Sequence, residues 1–131
     1  VIPYLDELDP FAKEVGAVNT AVIKDGIIKG YNTDGPGFVK AIAPLLANQF
    51  AGRNVLIIGG GGAARGIYCA MAKTGIAQMD IANRTLSSAE RIVADCHNGI
   101  SSAVLSLVDA EKALANYDLI IQTTSVGLYW E

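Results

Sequence analysis

The sequence predicts an α/β fold, in which a Rossmann-like parallel sheet with helices on both faces is preceded by the remnant of another α/β domain. From Asn54 onward, short apolar runs alternate with segments that have the apolar period of a helix. A run of four glycines, residues 59–62, stands at the first of these strand-to-helix transitions. The 53 residues before Asn54 lack this alternation, which indicates a different unit of structure.

The N-terminal part predicts a helix, a hairpin and a second helix. The pattern over residues 4–15 predicts a helix with a break at Pro10. Residues 19–32 contain two β-rich runs around Asp25-Gly26, a dipeptide that favours a two-residue hairpin turn. A helix is expected over residues 34–47, with one apolar face. That face consists of Phe38, Ile42, Leu45 and Leu46.

The remainder predicts four strands that alternate with three helices, joined to the N-terminal part by residues 48–53. The four strands are expected at residues 54–59, 78–82, 102–107 and 118–123. The first helix is expected over residues 62–74. The second carries a capping-box spacing from Ser87 to Glu90, so it is expected to begin there. A parallel sheet with right-handed crossovers follows from this order.

The glycine-rich string "LIIGGGGAARG", residues 56–66, is the strongest chemical signal. Gly59, Gly61 and Gly62 fall where the first strand turns into its helix, so backbone N–H groups and the helix N-terminus can face a pyrophosphate. A tight turn that binds nothing is the alternative. The position between a buried strand and a patterned helix favours dinucleotide binding.

The end of the second strand indicates which dinucleotide. An Asp or Glu in this place would accept a hydrogen bond from the ribose 2′-OH of NAD, whereas an Arg can pair with the 2′-phosphate of NADP. The sequence has Asn83-Arg84-Thr85 and no carboxylate there; Asp80 belongs to the interior of the strand. The residues therefore favour NADP, and a solvated surface role for Arg84 is the alternative.

A second polar motif, "GYNTDGPGF" at residues 30–38, precedes the helix predicted from residue 34. Thr33 or Asp34 could simply cap that helix. Gly35 and Gly37 also permit close approach of a ligand, which capping does not require. The two interpretations of Asp34, helix cap and functional residue, are evenly matched on these residues alone.

Composition excludes several classes of protein. The 131 residues carry a net charge of −3 and no Lys/Arg block, so neither nucleic acid nor a phosphate-tracking surface is expected. No apolar run reaches the roughly 18 to 20 residues of a membrane span, and no signal pattern is visible, which predicts a cytoplasmic protein without membrane contact. Cys69 and Cys96 lack metal-site spacing, so no metal is expected and both are predicted to be reduced, packed thiols.

Five motifs together resemble shikimate dehydrogenase: "GAVNT" (16–20), "GYNTD" (30–34), "GGGGA" (59–63), "NRT" (83–85) and "TTSVG" (123–127). The resemblance implies NADPH-dependent reduction of 3-dehydroshikimate to shikimate, in aromatic amino-acid biosynthesis. It also implies a division into residues 1–33, the end of a substrate-binding domain; residues 34–53, a linking helix and joint; and residues 54–131, an NADP-binding domain cut at its C-terminal end.

The same resemblance assigns roles to individual residues. Asn19, Thr33 and Asp34 would line the substrate pocket, and Asp34 would pair with a lysine for acid/base chemistry. The helix N-terminus favours the ionised form of Asp34, so the lysine is the better proton donor. The cofactor NADP(H) would be held by three groups of residues. The pyrophosphate would contact Gly59, Gly61, Gly62 and Ala63. The adenosine end would contact Asn83, Arg84 and Thr85, and the nicotinamide would contact Thr124, Ser125 and Val126.

Two departures from the family pattern qualify this prediction. The expected lysine would lie before Val1, so this chain by itself is expected to bind cofactor without turnover. Ser88 stands where many relatives have a basic residue, which predicts a weaker preference for NADP.

Two alternative functions remain open. One is a quinate/shikimate variant, and the other is a dinucleotide-binding module of another Rossmann reductase, such as glutamyl-tRNA reductase or methylenetetrahydrofolate dehydrogenase. The expected partner is a small-molecule substrate, with a homodimer as a further possibility.

Overall fold

The computed structural model describes residues 6–10, 20–31, 38–76, 78–97 and 99–123. Within them lies one sheet of seven strands in the order β1-β3-β2-β7-β4-β5-β6. The strands are β1 (Glu7–Leu8), β2 (Thr20–Lys24), β3 (Ile27–Tyr31), β4 (Asn54–Ile58), β5 (Gln78–Ala82), β6 (Val104–Leu105) and β7 (Leu119–Gln122). The helices are α1 (Phe38–Ile42), α2 (Gly62–Met71), α3 (Leu86–Cys96) and α4 (Leu107–Lys112), with 3₁₀ turns at Ala43–Leu46 and Leu114–Asn116.

The four C-terminal strands form the predicted parallel sheet. β4 pairs with β5 on one side and with β7 on the other, and β6 pairs with β5, all in parallel. The chain thus proceeds outward from β4 to β5 and β6 and then returns to the opposite side of β4. This reversal creates a topological switch point between β4 and β7, where ligands of such sheets bind at the carboxyl ends of the strands. The Rossmann-like fold class is confirmed.

The hairpin is also confirmed, and it joins the same sheet. β2 and β3 pair antiparallel around Asp25 (φ 53°) and Gly26 (φ 78°), the two positive values that a type I′ turn requires. β2 pairs antiparallel with β7 as well, with Thr20 opposite Ile121, so the complete sheet is mixed. The boundaries of the domains at residues 33 and 53 remain a prediction.

The prediction of a helix over residues 4–15 is wrong for the first described residues of that range. Glu7 and Leu8 form a short strand parallel to β3, and Asp6 exchanges two hydrogen bonds with Ile28: its N–H donates to the Ile28 carbonyl (2.7 Å) and its carboxylate accepts from the Ile28 N–H (2.8 Å). Pairing with the edge of β3 overrides the local helical pattern, because propensity is weaker than tertiary context. Residues 11–19 lie outside the described residues.

The helix expected over residues 34–47 is described from Phe38 and changes character at Ala43, where a 3₁₀ turn begins. Pro44 accounts for the change, because it has no N–H for the next α-helical hydrogen bond. The apolar face is confirmed where it is described: Ile42 and Leu46 are buried and Phe38 packs against them. Residues 34–37 and the side chain of Leu45 are outside the described part.

Three predicted boundaries on the C-terminal side are wrong. The helix expected over residues 62–74 ends at Met71. Thr85 is the N-cap of α3, two residues before the expected capping box at Ser87. The Asn83 side chain donates to the Thr85 carbonyl (2.9 Å) and turns the chain earlier than the spacing suggests. The strand expected over residues 102–107 contains only Val104 and Leu105, because the Ser106 side chain caps α4 by accepting from the Asp109 N–H (3.1 Å).

Helices cover both faces of the sheet. Against one face, α1, α2 and α3 pack on alternate side chains of β4, β5 and β7, with Tyr68 and Met71 of α2 completely buried. Against the other face, α4 and the turn after it pack through Ala110 and Tyr117. The apolar face of α3 packs on the sheet: Ala89 and Ile92 are buried, and Val93 and Cys96 are partly buried against the same core.

Asp80 lies inside β5, as predicted, and its buried carboxylate connects three segments. It accepts hydrogen bonds from the Tyr117 hydroxyl (2.6 Å), from the Ala103 N–H (2.8 Å) and from the Gln78 side chain. Burial, and then the bond to Asp80 and the charge on it, raise the pKa of Tyr117. Tyr117 therefore stays protonated and donates to Asp80.

The predicted state of the cysteines is wrong in the structure. Cys69 on α2 and Cys96 at the end of α3 form a disulfide, with their Cα atoms 5.5 Å apart, a usual separation for such a bond. Their separation of 27 positions hides this proximity in the sequence, because it arises only when α2 and α3 pack side by side on the sheet.

Candidate functional site

The turn after β4 depends on glycine for its backbone conformation. Gly59 has φ 134°, a value that side chains rarely allow, and its N–H donates to the Ala82 carbonyl at the end of β5 (2.8 Å). This N–H is thus occupied within the sheet. Gly59 shapes the turn and connects the ends of β4 and β5, and the N–H groups that could face a ligand belong to the residues after it.

The three following glycines differ in what surrounds them. A Cβ atom on Gly60 would overlap the Asn83 side chain and would lie 3.1 Å from the Cβ of Ser88. Gly60 thereby allows the turn after β4 to pack against the turn after β5. A Cβ on Gly61 or Gly62 would meet no protein atom within 4 Å. These two glycines leave open space in front of the backbone, as close approach of a ligand requires.

The helix that follows this turn begins without a side-chain cap. Gly61 is the N-cap of α2, and its carbonyl accepts the first helical hydrogen bond, from the Arg65 N–H (3.0 Å). The N–H groups of the first turn, including those of Gly62 and Ala63, have no intrahelical acceptor. Together with the positive end of the helix dipole, such groups bind phosphate.

The turn after β5 brings the predicted cofactor motif Asn83-Arg84-Thr85 to the same edge of the sheet as the glycine turn. This is because Ala82 is paired with Ile58 at the ends of β5 and β4. The Asn83 N–H donates to the Leu105 carbonyl (3.2 Å). Thr85 is the N-cap of α3 and makes no side-chain capping bond. Arg84 is exposed and has no hydrogen-bond or ion-pair partner among the described residues.

A cavity of about 300 Å³ separates the glycine turn from the start of α3. Its lining combines glycine backbone, two hydroxyl side chains and two guanidinium groups: Gly60, Gly61, Gly62, Arg65, Ser87, Ser88 and Arg91. Gly61 and Gly62 were predicted as cofactor residues, whereas Arg84 does not line this cavity.

Sequence reasoning missed Gly60, Arg65, Ser87 and Arg91 as lining residues. Arg65 lies four residues after the N-cap of α2 and forms an ion pair with Asp95 of α3 (2.9 Å). Ser88 and Arg91 are three residues apart on α3 and so share one face of the helix. That spacing was the available signal for Arg91; no signal in the sequence indicates that Arg65 faces the same cavity.

The cavity fits the phosphates of a dinucleotide. Uncapped N–H groups, guanidinium groups and open space beside Gly61 and Gly62 provide donors, positive charge and room. None of the seven lining residues is acidic. Asp95 is paired with the lining residue Arg65. The donor set is therefore that of an anion site.

The predicted substrate residues Asn19, Thr33 and Asp34 lie outside the described residues, as do the predicted nicotinamide residues Thr124, Ser125 and Val126. Their roles remain predictions. Thr123, the last described residue, donates both its N–H and its hydroxyl to the Ile58 carbonyl (2.9 Å each). The segment after β7 thus starts beside the glycine turn, at the switch point of the sheet.

The described part of the chain contains no group of three metal-ligating side chains. In that same part, no helix is both long enough and apolar enough to span a bilayer.

Comparisons with known proteins agree with this site. The family model for shikimate/quinate 5-dehydrogenase matches residues 41–129. Shikimate dehydrogenase (NADP(+)) of Bacillus cereus strain AH820 is 46% identical over 129 residues, and that of Geobacillus sp. strain WCH70 is 50% identical over 129 residues. Each alignment covers 98% of this chain and 47% of the relative, so the chain spans about half the length of these curated relatives.

Solved structures give the same result. Shikimate 5-dehydrogenase from Listeria monocytogenes, in complex with shikimate and NAD, superposes with a TM-score of 0.59 and 31% identity, covering 98% of this chain and 47% of the other. Quinate dehydrogenase from Corynebacterium glutamicum, in complex with NAD, superposes with a TM-score of 0.58 and 28% identity, covering 95% and 45% of the two chains.

Proposed function

Because the chain belongs to the shikimate/quinate 5-dehydrogenase family, we propose that it is part of an NADP-dependent shikimate dehydrogenase. The enzyme reduces 3-dehydroshikimate, a small molecule, to shikimate with hydride from NADPH. The observation that supports this most strongly is the cavity between the glycine turn and the start of α3, which has the donors and charge of a phosphate site. A homodimer and a cytoplasmic location remain predictions from the sequence.

In this proposal the described residues bind the cofactor in two groups. The first-turn N–H groups at Gly62 and Ala63 face the pyrophosphate, with Gly61 leaving room for it and Gly59 shaping the turn. Asn83, Arg84 and Thr85 approach the adenosine end from the neighbouring strand. The Asn83 side chain holds that turn through the Thr85 carbonyl, and Arg84 remains available for a phosphate.

Titration of the protein with NADPH and NADH, followed by nucleotide fluorescence, tests the cofactor assignment. We expect tighter binding of NADPH, because no carboxylate follows β5 to select the ribose 2′-OH of NAD. The absence of binding of either nucleotide would overturn the proposed function, and equal affinities would remove the preference for NADP.

The substrate side of the proposal depends on Asn19, Thr33 and Asp34. In the intact enzyme, Asp34→Asn keeps the size and capping ability of the side chain, since Asn and Asp are similar N-caps, but removes the charge that would pair with a lysine. Loss of a positioned acid/base group lowers kcat by about 10² to 10⁴. An unchanged kcat with a lowered melting temperature would show that Asp34 is only a helix cap.

A quinate-specific enzyme is the second candidate, since the matching family model includes quinate dehydrogenases and one superposable structure is a quinate dehydrogenase. The ratio of kcat/KM for shikimate and quinate in the intact enzyme distinguishes the two. An intact protein that binds dinucleotide and oxidises neither compound would instead be a binding module. The 131-residue chain alone would also act as a binding module if it binds NADPH without turnover.

A further inference from the structure

Arg91 has the position and the uncommitted charge of a phosphate ligand. It projects from the second turn of α3 and lines the cavity in front of the glycine turn. It is exposed, and within the described part of the chain no carboxylate or carbonyl is bonded to its guanidinium. The charge of Arg91 is therefore available to an anion in the cavity.

The second guanidinium of the cavity is not equally available. Arg65 is bonded to Asp95, so part of its charge is already neutralised and its side chain is held toward α3. Asp95 lies four residues after Arg91 on the same helix, but its carboxylate is bonded to Arg65 (2.9 Å). The Asp95 carboxylate is thus paired with Arg65, and no ion pair of Arg91 is found in the described part of the chain.

Ser88 and Arg91 lie three residues apart on one face of α3, and both line the cavity, whereas Arg84 lies outside it. Long side chains on a helix lean toward its N-terminus, so the Arg91 side chain can extend over the smaller Ser88. Arginine can bind a phosphate through two parallel hydrogen bonds, which a serine cannot do.

We propose that Arg91 is a specificity-determining residue, which recognises the 2′-phosphate of the cofactor from the second turn of α3. This inference rests on the proposed function. Arg91 supplies from inside the cavity the positive charge that Ser88 does not, and Arg84 is supplementary to it. The protein therefore keeps its preference for a 2′-phosphorylated dinucleotide, although residue 88 is a serine and carries no positive charge.

Calorimetric titration with 2′-phospho-ADP-ribose and with ADP-ribose tests the inference without involving turnover or the nicotinamide. We expect Arg91→Met to weaken 2′-phospho-ADP-ribose binding roughly tenfold or more, in line with loss of a charge-assisted bidentate contact, and to leave ADP-ribose binding nearly unchanged. Lys73→Met is the matched control, because it removes one exposed positive charge just after α2, away from the cavity lining. Arg84→Met should have a smaller effect than Arg91→Met.

A second guanidinium on the same face should restore what Arg91→Met removes. Ser88→Arg in the Arg91→Met background is expected to recover most of the preference for the 2′-phosphorylated ligand. If Arg91→Met weakens both ligands equally, Arg91 contacts the pyrophosphate and the inference is wrong. It is also wrong if wild type prefers 2′-phospho-ADP-ribose and Arg91→Met keeps that preference, although the proposed function then stands. If wild type binds neither ligand, the proposed function fails and this inference with it.

Discussion

The helices on the two faces of the sheet begin in different ways. On one face, α2 starts at Gly61 and α3 at Thr85, and neither N-cap side chain bonds to the helix that it precedes. On the other face, α4 starts at Ser106, whose hydroxyl accepts from the Asp109 N–H. The turn after α4 is fixed as well, by the bond from Tyr117 to Asp80.

The open starts are the ones that face the candidate cofactor cavity, and the closed one lies on the opposite face of the sheet. A side-chain cap stabilises a helix by about 0.5 to 2 kcal/mol, but it also occupies N–H groups that an anion could use. The difference indicates that the face with α2 and α3 keeps its donors for a ligand, while the face with α4 uses its side-chain bonds for stability.

The largest effect on stability should come from the face of the sheet on which α4 packs. Tyr117→Phe removes one donor from the buried Asp80 carboxylate, and hydrogen bonds to charged groups contribute about 1.5 to 3 kcal/mol. Tyr68→Phe on the other face is the matched control, because among the described residues the Tyr68 hydroxyl is bonded to the neutral Ser102 hydroxyl (2.6 Å) and to no charged group. Urea unfolding measures both losses, and an equal loss in the two variants would contradict a special role for the Asp80 contact.

On the face with α2 and α3, the effect of adding a methyl group to a glycine should depend on which glycine is changed. Gly60→Ala forces a Cβ against Asn83 and is expected to destabilise the protein by about 1 to 3 kcal/mol, as overpacking does. Gly62→Ala meets no protein atom and removes a helical glycine, so the melting temperature should stay the same or rise. Its methyl group enters the space beside the first-turn N–H groups, so NADPH binding should nevertheless weaken.

Thermal melts and NADPH titrations of the same two variants separate these effects. Gly60→Ala should show the larger fall in melting temperature, and Gly62→Ala should lose affinity without losing stability. A Gly62→Ala variant that binds NADPH as tightly as wild type would show that the open space at Gly62 has no role in binding.

Local and long-range features of the structure differ in how well the sequence predicted them. The strand β4, the glycine turn and the hairpin at Asp25-Gly26 follow from local requirements: a continuous apolar run, close backbone approach and two positive φ angles. Local requirements are legible in a sequence. Gly61, Gly62 and the position of the Asn83-Arg84-Thr85 turn were predicted on this basis.

The rest of the site depends on contacts between distant segments. Arg65 and Arg91 reach one cavity only because α2 and α3 pack side by side, and the same packing joins Cys69 to Cys96. Glu7-Leu8 became a strand because the edge of β3 was available for pairing. Apart from the three-residue spacing of Ser88 and Arg91, no local pattern distinguishes such residues from ordinary surface or helical ones, which explains why they were missed.

Alkaline titration should distinguish the faces through their tyrosines. Burial raises the pKa of Tyr117, and the Asp80 contact raises it further; burial also raises the pKa of Tyr68. Above about pH 10 an unfolded tyrosine loses its proton, whereas these folded ones keep theirs, so stability falls as pH rises, by up to about 1.4 kcal/mol per pH unit for each such group. Tyr117→Phe should flatten this fall. An unchanged slope in urea unfolding between about pH 9 and pH 11 would show that Tyr117 is not responsible.

The smallest effects test the comparison of helix starts directly. Ser106→Ala removes the bond to the Asp109 N–H and is expected to cost about 1 kcal/mol of stability. Thr85→Ala removes no capping bond, so it should stay within about 0.5 kcal/mol, the usual range for a surface substitution. Urea unfolding without nucleotide gives both values. If Thr85→Ala costs as much as Ser106→Ala, Thr85 caps α3 in solution and the start of that helix is closed, so its N–H groups compete with any phosphate in the cavity. A small loss in stability together with weaker NADPH binding would instead place the Thr85 hydroxyl among the contacts of the cofactor.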